Sequence, residues 1–391
     1  GVGWNLAKHL SERVELAVLT RANNRALIES CAEAWVGRVR WIYMDPPHWL
    51  TFWKRGGRGV QLFYVIWQVA AWFAVRKHLK NYPVDLIHHV TFGKFWIPSL
   101  LSLCEVPFIF GPVGGGDRTP PSLREGMDAS ERRQEWLKVI TVWLCTKNPA
   151  SLFLLRRSAL TLAATEQTRT ELEALGVSNL VLAPQSAIEI GDPLLDATRI
   201  ARGKDSGRCV QLVCASRHVK WKGVDVAIEA AAQARSRVDL ELTILQSGPE
   251  EASLKALVRE LGAEDFIRFT GRLPSQSDVY RQIASSDALF HPAKHEAFGQ
   301  VCVEALAMGV PVLCLDWAGP GMIVDSSCGW KVHPGSKSET IRRFVDAIDE
   351  LASERGMGKS RDKACRARAE AFSWPQLCDS FLEMYSRVSG S

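Results

Sequence analysis

The segment at residues 291–315, HPAKHEAFGQVCVEALAMGVPVLCL, constrains the fold more than any other part of the chain. An apolar strand ending at His291 is followed by a loop, a helical pattern from Gln300 and a second apolar strand at residues 310–315. A strand, a helix and a strand at this spacing form one repeat of a parallel α/β sheet. The helix start at Gly299 offers unpaired N–H groups and a positive dipole end, which suit a diphosphate.

Two carboxylates, Glu296 and Glu304, lie on either side of this helix start. Their separation along a helix would be roughly 12 Å. A retaining glycosidase places its two carboxylates about 5–5.5 Å apart, so the pair does not fit that chemistry. Two interpretations stay open at this point. Either the two carboxylates contact one elongated ligand at two points, or they are a charged loop residue and a solvent-exposed helix residue.

The same segment resembles the signature of retaining glycosyltransferase family 4, E-[GAS]-F-G-x(4)-E-A-x-A-x-G-x-P-V, and every fixed position is present from Glu296 to Val312. The resemblance implies an α/β protein of GT-B fold, in which two Rossmann-like domains with parallel sheets face each other across a cleft. It also implies that Ala297, Phe298, Gly299 and Gln300 contact the donor, that Glu304 binds ribose hydroxyls, and that Glu296 binds the hydroxyls of the transferred sugar.

A second match lies at residues 216–223, where Arg217 and Lys222 fit the R-x(4)-K-G element of the family. A surface-charge interpretation is the alternative, but cations at a strand end suit a diphosphate clamp. The resemblance assigns Arg217 and Lys222 to the donor diphosphate. It also includes Gly248, which fits the family turn G-x-G-P-E although Gln246 replaces the first glycine and Ser216 replaces the glycine before Arg217.

The resemblance extends to two further parts of the chain. Arg272 and Leu273 correspond to the loop that borders the nucleotide base. The helix expected at residues 376–388, after Phe372 and Trp374, resembles the closing helix that crosses back onto the first domain.

The first half of the chain contains two adjacent histidines, His88 and His89, which end an apolar strand at residues 84–90. Ligands of open α/β sheets gather at the carboxyl ends of strands, which makes both residues site candidates. Family 4 carries a D-[VIL]-[VIL]-H pattern here, with a histidine on the acceptor side, and the resemblance gives the pair a catalytic role. His88 matches the pattern, whereas His89 lies one residue early. A zinc site is a poor alternative because no further ligands complete it.

Three successive glycines, Gly114, Gly115 and Gly116, follow the strand at residues 106–111 and permit close approach of a ligand. We expect this loop to line the acceptor side, with a flexible turn as the alternative. At the N-terminus a glycine turn leads directly into a helix, and the resemblance places Gly3 near the donor phosphates. Because such a turn normally follows a strand, we expect that one strand is missing and the chain is truncated there.

The alternation of strands and helices predicts two domains, as expected for 391 residues. The predicted boundaries are an acceptor-binding domain at 1–185, a linker at 186–207, a nucleotide-sugar-binding domain at 208–370 and a C-terminal helix region at 371–391 that packs on the first domain.

Composition sets limits on partners and location. The net charge of +5 is mild, and we expect no nucleic-acid partner. The ten cysteines form no C-x-x-C pair, which favours reduced thiols in a cytoplasmic protein. The apolar run at residues 62–75 is too short to span a bilayer. It predicts either a buried helix or, with Arg76, Lys77 and Lys80 beside it, peripheral contact with the inner face of a membrane.

The family resemblance therefore implies a retaining glycosyltransferase that moves a sugar from a nucleotide-sugar donor to a glycan or lipid-linked acceptor. The donor is a substrate, so no cofactor is expected. No D-x-D occurs in the chain, and the cations with the helix dipole suit the phosphates, so no metal is expected. A GT-B nucleotide-sugar epimerase and a non-catalytic nucleotide-sugar-binding protein are the alternatives.

Overall fold

The computed structural model describes residues 1–54, 56, 59–124, 127, 129–191, 195 and 209–390. The chain divides into two compact units. Unit 1 comprises residues 1–116, 139–185 and 374–391, and unit 2 comprises residues 117–138 and 186–373. Most of the predicted linker at 186–207 lies outside the described residues.

The described residues of unit 1 form six parallel strands in two sheets. The strands are β1 (Leu16–Thr20), β2 (Val39–Tyr43), β3 (Ile87–His89), β4 (Phe108–Val113), β5 (Leu160–Ala163) and β6 (Leu180–Leu182). β1 pairs with β2, and the other four are arranged in the order β3-β4-β5-β6. The helices of unit 1 that lie wholly within it are Val2–Leu10, Arg25–Glu29, His48–Thr51, Val60–Leu79, Pro149–Arg156, Glu166–Ala174 and Trp374–Ser389.

The C-terminal helix Trp374–Ser389 belongs to unit 1 because it packs on the first helix of the chain. The rings of His9 and Trp374 stack with centroids 6.3 Å apart, and Arg13 forms an ion pair with Asp379. Trp374 is among the largest fully buried side chains. The described part of the chain contains no helix that is long and apolar enough to cross a membrane.

Unit 2 contains one six-stranded parallel sheet. Its strands are β7 (Val210–Ala215), β8 (Leu240–Leu245), β9 (Ile267–Gly271), β10 (Ala288–His291), β11 (Val312–Leu315) and β12 (Gly329–Val332). The helices described in full within it are Val224–Ala234, Glu251–Glu260, Gln276–Ala284, Gln300–Ala307, Ala318–Ile323, Lys337–Gly356 and Asp362–Glu370. The order β12-β11-β10-β7-β8-β9 is that of a doubly wound Rossmann-like sheet.

Both faces of this sheet are covered. Along β7, Leu212 and Cys214 belong to one apolar cluster, while Val213 and Ala215 belong to the other. Successive side chains of a strand point to opposite faces, so near-continuous apolar strands are what a sheet buried on both sides requires. The order reverses between β7 and β10, whose carboxyl ends are therefore the expected ligand position.

Two stretches group with unit 2 although the sequence-based boundaries placed them elsewhere: residues 117–138 of the predicted first domain and residues 371–373 of the predicted C-terminal helix region. Leu123 is buried in a core cluster of unit 2, and the indole Nε1 of Trp317 donates a hydrogen bond to the carbonyl of Arg118 at 2.8 Å. The next part of the chain forms the helices Ala129–Lys147 and Pro149–Arg156. They are separated at Asn148, whose side chain accepts a hydrogen bond from the Ala150 N–H.

Candidate functional site

A cavity of about 410 Å³ lies in unit 2 at the carboxyl ends of β7 and β10. This volume is in the usual range of small-molecule sites. The residues that line it come from the end of β7, the turn after it, the end of β8, the loop after β10 and the helix Gln300–Ala307. They are Ala215, Ser216, Arg217, Lys222, Gln246, Glu296, Gln300, Val301 and Glu304.

Lys222 reaches the cavity because of the glycine that follows it. Gly223 has φ +69 and begins the helix Val224–Ala234. A Cβ at this position would lie 2.2 Å from the carbonyl oxygen of Pro292, just after β10. The Lys294 N–H also donates to the carbonyl of Trp221 at 2.9 Å. The glycine therefore allows the turn to pack on the loop after β10, which brings Lys222 to Glu296.

Glu296 is the electrostatic centre of the cavity. It accepts a hydrogen bond from Lys222, and its Oε2 lies 3.2 Å from Nε2 of His291. Burial opposes ionisation and by itself raises the pKa, but the hydrogen bonds and charges of His291 and Lys222 outweigh it and lower the pKa of Glu296 to about 2. Glu296 is therefore an ionised carboxylate at neutral pH.

Gly299 is the N-cap of the helix Gln300–Ala307, and its φ of +93 is a left-handed conformation that favours glycine. Cys302, Val303 and Leu306 anchor the helix in the core. Gln300 and Glu304 lie on the other side of the helix and line the cavity, and both are half-buried. The structure thus places a helix N-terminus and a carboxylate one turn along it against the same cavity.

Arg217 supplies the second cation. It lies two residues after the end of β7 and is exposed. Within the described ranges no hydrogen bond or ion pair of its guanidinium is found. Since Lys222 is paired with Glu296, Arg217 is the cation of the cavity that is ready to meet an anion.

Gly248 supports the site from outside the cavity. A Cβ on Gly248 would lie 2.5 Å from the carbonyl oxygen of His218, so the turn after β8 packs closely on the turn after β7. His218 is fully buried, and its Nε2 is 3.2 Å from the carbonyl of Leu245. Gln246, at the position of the missing family glycine, has φ +76 and lines the cavity, so the glycine-like backbone is retained with a side chain added.

Four other predicted donor residues do not line the cavity. Phe298 is buried in a core cluster and packs edge-to-face on Phe372, with ring centroids 6.1 Å apart. Ala297 is half-buried in the loop, Arg272 is exposed after β9, and Leu273 packs against the same core cluster. Their proximity to a bound donor stays a prediction.

Three residues that the sequence did not single out, His295, Asp117 and Lys138, contact one another beside Glu296. Nδ1 of His295 lies 2.8 Å from Oδ2 of the buried Asp117. Lys138 contacts Nε2 of His295 and donates to the carbonyl of Asp117 at 2.7 Å. The His-Glu dipeptide was the only local signal, because Asp117 and Lys138 are more than a hundred residues away in the chain.

The predicted catalytic histidines lie in unit 1 and are already engaged there. Nε2 of His88 is 2.8 Å from the carbonyl of Gly111, and its Nδ1 is 2.6 Å from the hydroxyl of Tyr385. A neutral ring that donates from Nε2 and accepts at Nδ1 satisfies both contacts. Burial lowers the pKa of His88 to about 4, although the Gly111 carbonyl opposes this, and the neighbouring His89 lowers it further. This geometry favours a structural role for His88.

His89 is buried, and its Nε2 lies 2.8 Å from the Tyr64 hydroxyl and 2.9 Å from the carbonyl of Thr91. Burial lowers its pKa to about 4, against the opposing effect of the Thr91 carbonyl. Both histidines are therefore neutral at pH 7. Their catalytic assignment stays a prediction.

The remaining predicted glycines of unit 1 meet protein at close range. A Cβ would lie 3.1 Å from Thr91 Cγ2 at Gly3, 1.9 Å from the Trp96 ring at Gly115, and 2.5 Å from Thr168 Cα at Gly116. Gly114 forms a bridge with Lys94. Close packing of the chain explains the glycines at Gly115 and Gly116 without a ligand.

No group of three or more His, Cys, Asp or Glu side chains arranged to hold a metal ion is found among the described residues. The chemistry that the cavity offers is instead anion binding by Arg217 and the helix start, with two carboxylates beside it. Fold and cavity together define a parallel α/β protein with a cavity at the topological switch point of one sheet, where open α/β sheets bind their ligands.

Comparison with known families finds similarity over part of the chain. Residues 203–370 match the family model for glycosyl transferases group 1. A sucrose synthase of Denitrovibrio acetiphilus is 31% identical over 153 residues, which cover 38% of this chain and 19% of that protein. A D-inositol 3-phosphate glycosyltransferase of an Arthrobacter species is 30% identical over 216 residues, covering 51% of this chain and 49% of that protein. The match spans about half the length of such relatives or less.

Solved structures extend the likeness of fold over nearly the whole chain. The sucrose-phosphate synthase of Thermosynechococcus elongatus has a TM-score of 0.66 at 16% identity and covers 98% of this chain and 91% of its own. The lipopolysaccharide outer core galactosyltransferase WaaB has a TM-score of 0.62 at 15% identity and covers 90% and 86%. HepE of Anabaena, solved with UDP, has a TM-score of 0.61 at 17% identity and covers 98% and 94%. The fold is GT-B, with two Rossmann-like domains.

Proposed function

We propose that the chain is a retaining glycosyltransferase that transfers a hexose from a nucleotide sugar to a glycan or lipid-linked acceptor. The observation that carries this proposal is the composition of the unit 2 cavity. Two cations, a helix N-terminus and two carboxylates line one cavity at the switch point of a Rossmann-like sheet. The family match over residues 203–370 supports the same assignment.

The donor diphosphate is assigned to Arg217, Lys222 and the N–H groups at the start of the helix Gln300–Ala307. The Arg217 guanidinium has no hydrogen bond or ion pair among the described residues and can bind a phosphate without losing another side-chain contact. Glu304 is one turn into the helix, where its carboxylate can accept two hydrogen bonds from the ribose diol. HepE was solved with UDP, which makes uridine nucleotides the first donors to test.

Glu296 is assigned to the transferred sugar. Because its pKa is lowered to about 2, it has no proton to donate at neutral pH and can only accept hydrogen bonds from sugar hydroxyls or stabilise positive charge. In the proposed step, the bond between the sugar C1 and the phosphate oxygen breaks while C1 bonds to the acceptor oxygen on the same face. The acceptor proton passes to the departing phosphate, whose negative charge is stabilised by Arg217 and Lys222.

No divalent metal is included in this proposal, since the two cations and the helix dipole supply the positive charge that the leaving diphosphate needs. No proton transfer is assigned to His88 either, because both of its ring nitrogens are engaged. The ten cysteines are free thiols, which supports a reducing, cytoplasmic location.

A thermal-shift panel of UDP-, GDP- and ADP-sugars tests donor binding. The matched pair of variants is Arg217→Ala in the cavity and Arg259→Ala on an exposed helix of the same unit. We expect Arg217→Ala to weaken the preferred donor about tenfold, because a hydrogen bond to a charged group is worth roughly 1.5–3 kcal/mol, and Arg259→Ala to leave it unchanged. Equal effects of both variants would show that the diphosphate binds elsewhere.

Turnover is tested by incubating the donor with candidate acceptors and determining the anomeric configuration of the product by NMR. Activity should persist in excess EDTA. Loss in chelator with recovery in magnesium or manganese would refute the metal-free step, and inversion would refute the front-face step. Conversion of the donor with no acceptor present would instead identify an epimerase.

A further inference from the structure

The helix Val60–Leu79 of unit 1 exposes an apolar stripe to solvent. Leu62, Val65, Val69 and Phe73 are all exposed, with Leu62 at 58% and Phe73 at 60%. At 3.6 residues per turn these four positions fall within an arc of about 80°. They therefore form one continuous face, which we call the outer stripe.

The opposite face of the same helix is already used by the core of unit 1. Phe63, Tyr64, Gln68 and Ala71 are buried. Gln68 is fixed in place, since its Nε2 donates to the Tyr64 hydroxyl at 2.7 Å and its Oε1 accepts from Ser99 at 3.2 Å. The helix cannot turn over to bury the outer stripe without breaking this buried polar network.

Positive charge continues the outer stripe at its C-terminal end. Arg76 and Lys80 lie in the same arc of the helix surface, Lys77 lies beside it, and all three are exposed. No Asp or Glu occurs between Asp45 and Asp85, whereas this interval contains six Lys and Arg residues. A surface with this charge pattern complements an anionic partner.

Aromatic residues precede the helix in the same interval. Trp49 and Phe52 are 71% and 68% exposed. Their segment is held against the helix start, because the Trp53 ring packs on Gly59 and the Lys54 ammonium lies 5.3 Å from the centre of the Phe63 ring. Exposed aromatic side chains beside basic residues are typical of the boundary between lipid headgroups and acyl chains.

We propose that the outer stripe, with Trp49 and Phe52, docks on an anionic lipid bilayer surface and lies in the plane of the headgroups. Apolar side chains of the stripe would enter the acyl boundary while Arg76, Lys77 and Lys80 remain with the anionic headgroups. A protein partner would need acidic side chains around an apolar groove, whereas a bilayer supplies both features over the whole stripe. The inference concerns the partner of unit 1 and deepens the proposed function by favouring a lipid-linked acceptor.

Vesicle flotation tests the docking surface with the intact chain and without any donor, so that its outcome is independent of glycosyl transfer. The vesicles contain phosphatidylcholine alone or with about a quarter phosphatidylglycerol, in roughly 0.1 M and 1 M salt. We expect binding to the anionic vesicles at low salt and markedly weaker binding at high salt. Absence of binding to anionic vesicles, or equal binding to both kinds, would overturn the proposal.

Two matched pairs of variants locate the surface. Leu62→Ser with Phe73→Ser should weaken binding at least about tenfold, whereas Leu261→Ser with Met357→Ser, also exposed apolar residues, should not. Phe73→Trp should retain binding.

Arg76→Gln with Lys80→Gln should weaken binding about fivefold for each base removed, whereas Arg259→Gln with Lys359→Gln should have little effect. Thermal unfolding shows that each variant is folded. Unchanged binding of the stripe or charge variants contradicts the assignment. Sedimentation velocity provides the last control: conversion of a wild-type dimer to a monomer by the stripe variant would show that this face is a protein interface and would overturn the proposal.

Discussion

Glu296→Gln should destabilise unit 2 by about 3 kcal/mol at pH 7, and this difference should shrink in acid. The carboxylate is ionised and paired with Lys222 and His291 in the folded unit. The uncharged amide removes that attraction and leaves the ammonium of Lys222 half-buried without its acidic partner. Removing one member of a buried ion pair typically costs roughly 3–5 kcal/mol, which agrees with this magnitude.

The size and the pH dependence follow from the pKa of Glu296. The pKa is lowered from 4.5 to about 2, net of the burial that opposes ionisation, and this corresponds to about 3 kcal/mol in favour of the folded, ionised state. A depressed folded-state pKa stabilises the protein above the unfolded value, and the contribution is lost as the pH falls through 4.5 towards 2. The difference between wild type and Glu296→Gln should therefore be near its full value at pH 6–7 and less than half of that value at pH 3.

Hydrogen exchange in urea, followed by mass spectrometry on peptides that cover β7 and β10, measures the free energy of unfolding of unit 2 by itself. Wild type and variant are compared at each pH, so that intrinsic exchange rates cancel. Asp316→Asn is the control, since the exposed pair of Asp316 with Lys331 at 2.9 Å is expected to contribute less than about 1 kcal/mol. A destabilisation by Glu296→Gln that stays constant from pH 7 to pH 3, or one no larger than that of Asp316→Asn, would refute this account of the buried pair.

Two further predictions concern the backbone and the nucleotide. Gly223→Ala should destabilise unit 2 clearly more than Gly262→Ala in urea titrations. Both glycines have a positive φ, so both substitutions introduce backbone strain of about 1–2 kcal/mol, but only the Cβ at Gly223 would meet a backbone atom, the carbonyl oxygen of Pro292. Equal effects of the two substitutions would contradict the packing argument. In calorimetric titrations with the bare nucleoside diphosphate, Glu304→Gln should weaken binding about tenfold or more. Glu296→Gln should leave the affinity unchanged or increase it by releasing Lys222. A loss of affinity in Glu296→Gln as large as that in Glu304→Gln would mean that the two roles are assigned wrongly.

The sequence was most informative where the residues of the site lie in short motifs that directly follow strands. Arg217, Lys222, Glu296, Gln300 and Glu304 were chosen from two short patterns, and all five line one cavity. The reason is topological: each pattern follows a strand whose neighbour is fixed by the reversal of order in a doubly wound sheet. The family resemblance selected these residues, and the strand order of unit 2 explains why they lie at one edge of one sheet.

Contacts between distant parts of the chain could not be predicted in this way. The hydroxyl that fixes His88 belongs to Tyr385, which lies in the last helix. Asp117 follows the glycine loop of unit 1 but groups with unit 2 and contacts His295. A histidine at a strand end resembles a catalytic residue in either setting, and only the tertiary partner distinguishes a fixed, neutral ring from an open one.

Lys222, which is proposed to bind the donor diphosphate, and Glu296, which is proposed to bind the donor sugar, form an ion pair with each other. In the structure the ammonium satisfies the carboxylate, so neither group is fully available to a ligand. A diphosphate that reaches Arg217 and the helix start also attracts Lys222, and each step of Lys222 towards the phosphate releases lone pairs of Glu296. The carboxylate can then accept hydrogen bonds from sugar hydroxyls without losing charge, because His291 still lies 3.2 Å from it. If the donor binds as proposed, binding of the sugar would be coupled to binding of the diphosphate in this way, and a free sugar, which cannot attract Lys222, would not release Glu296.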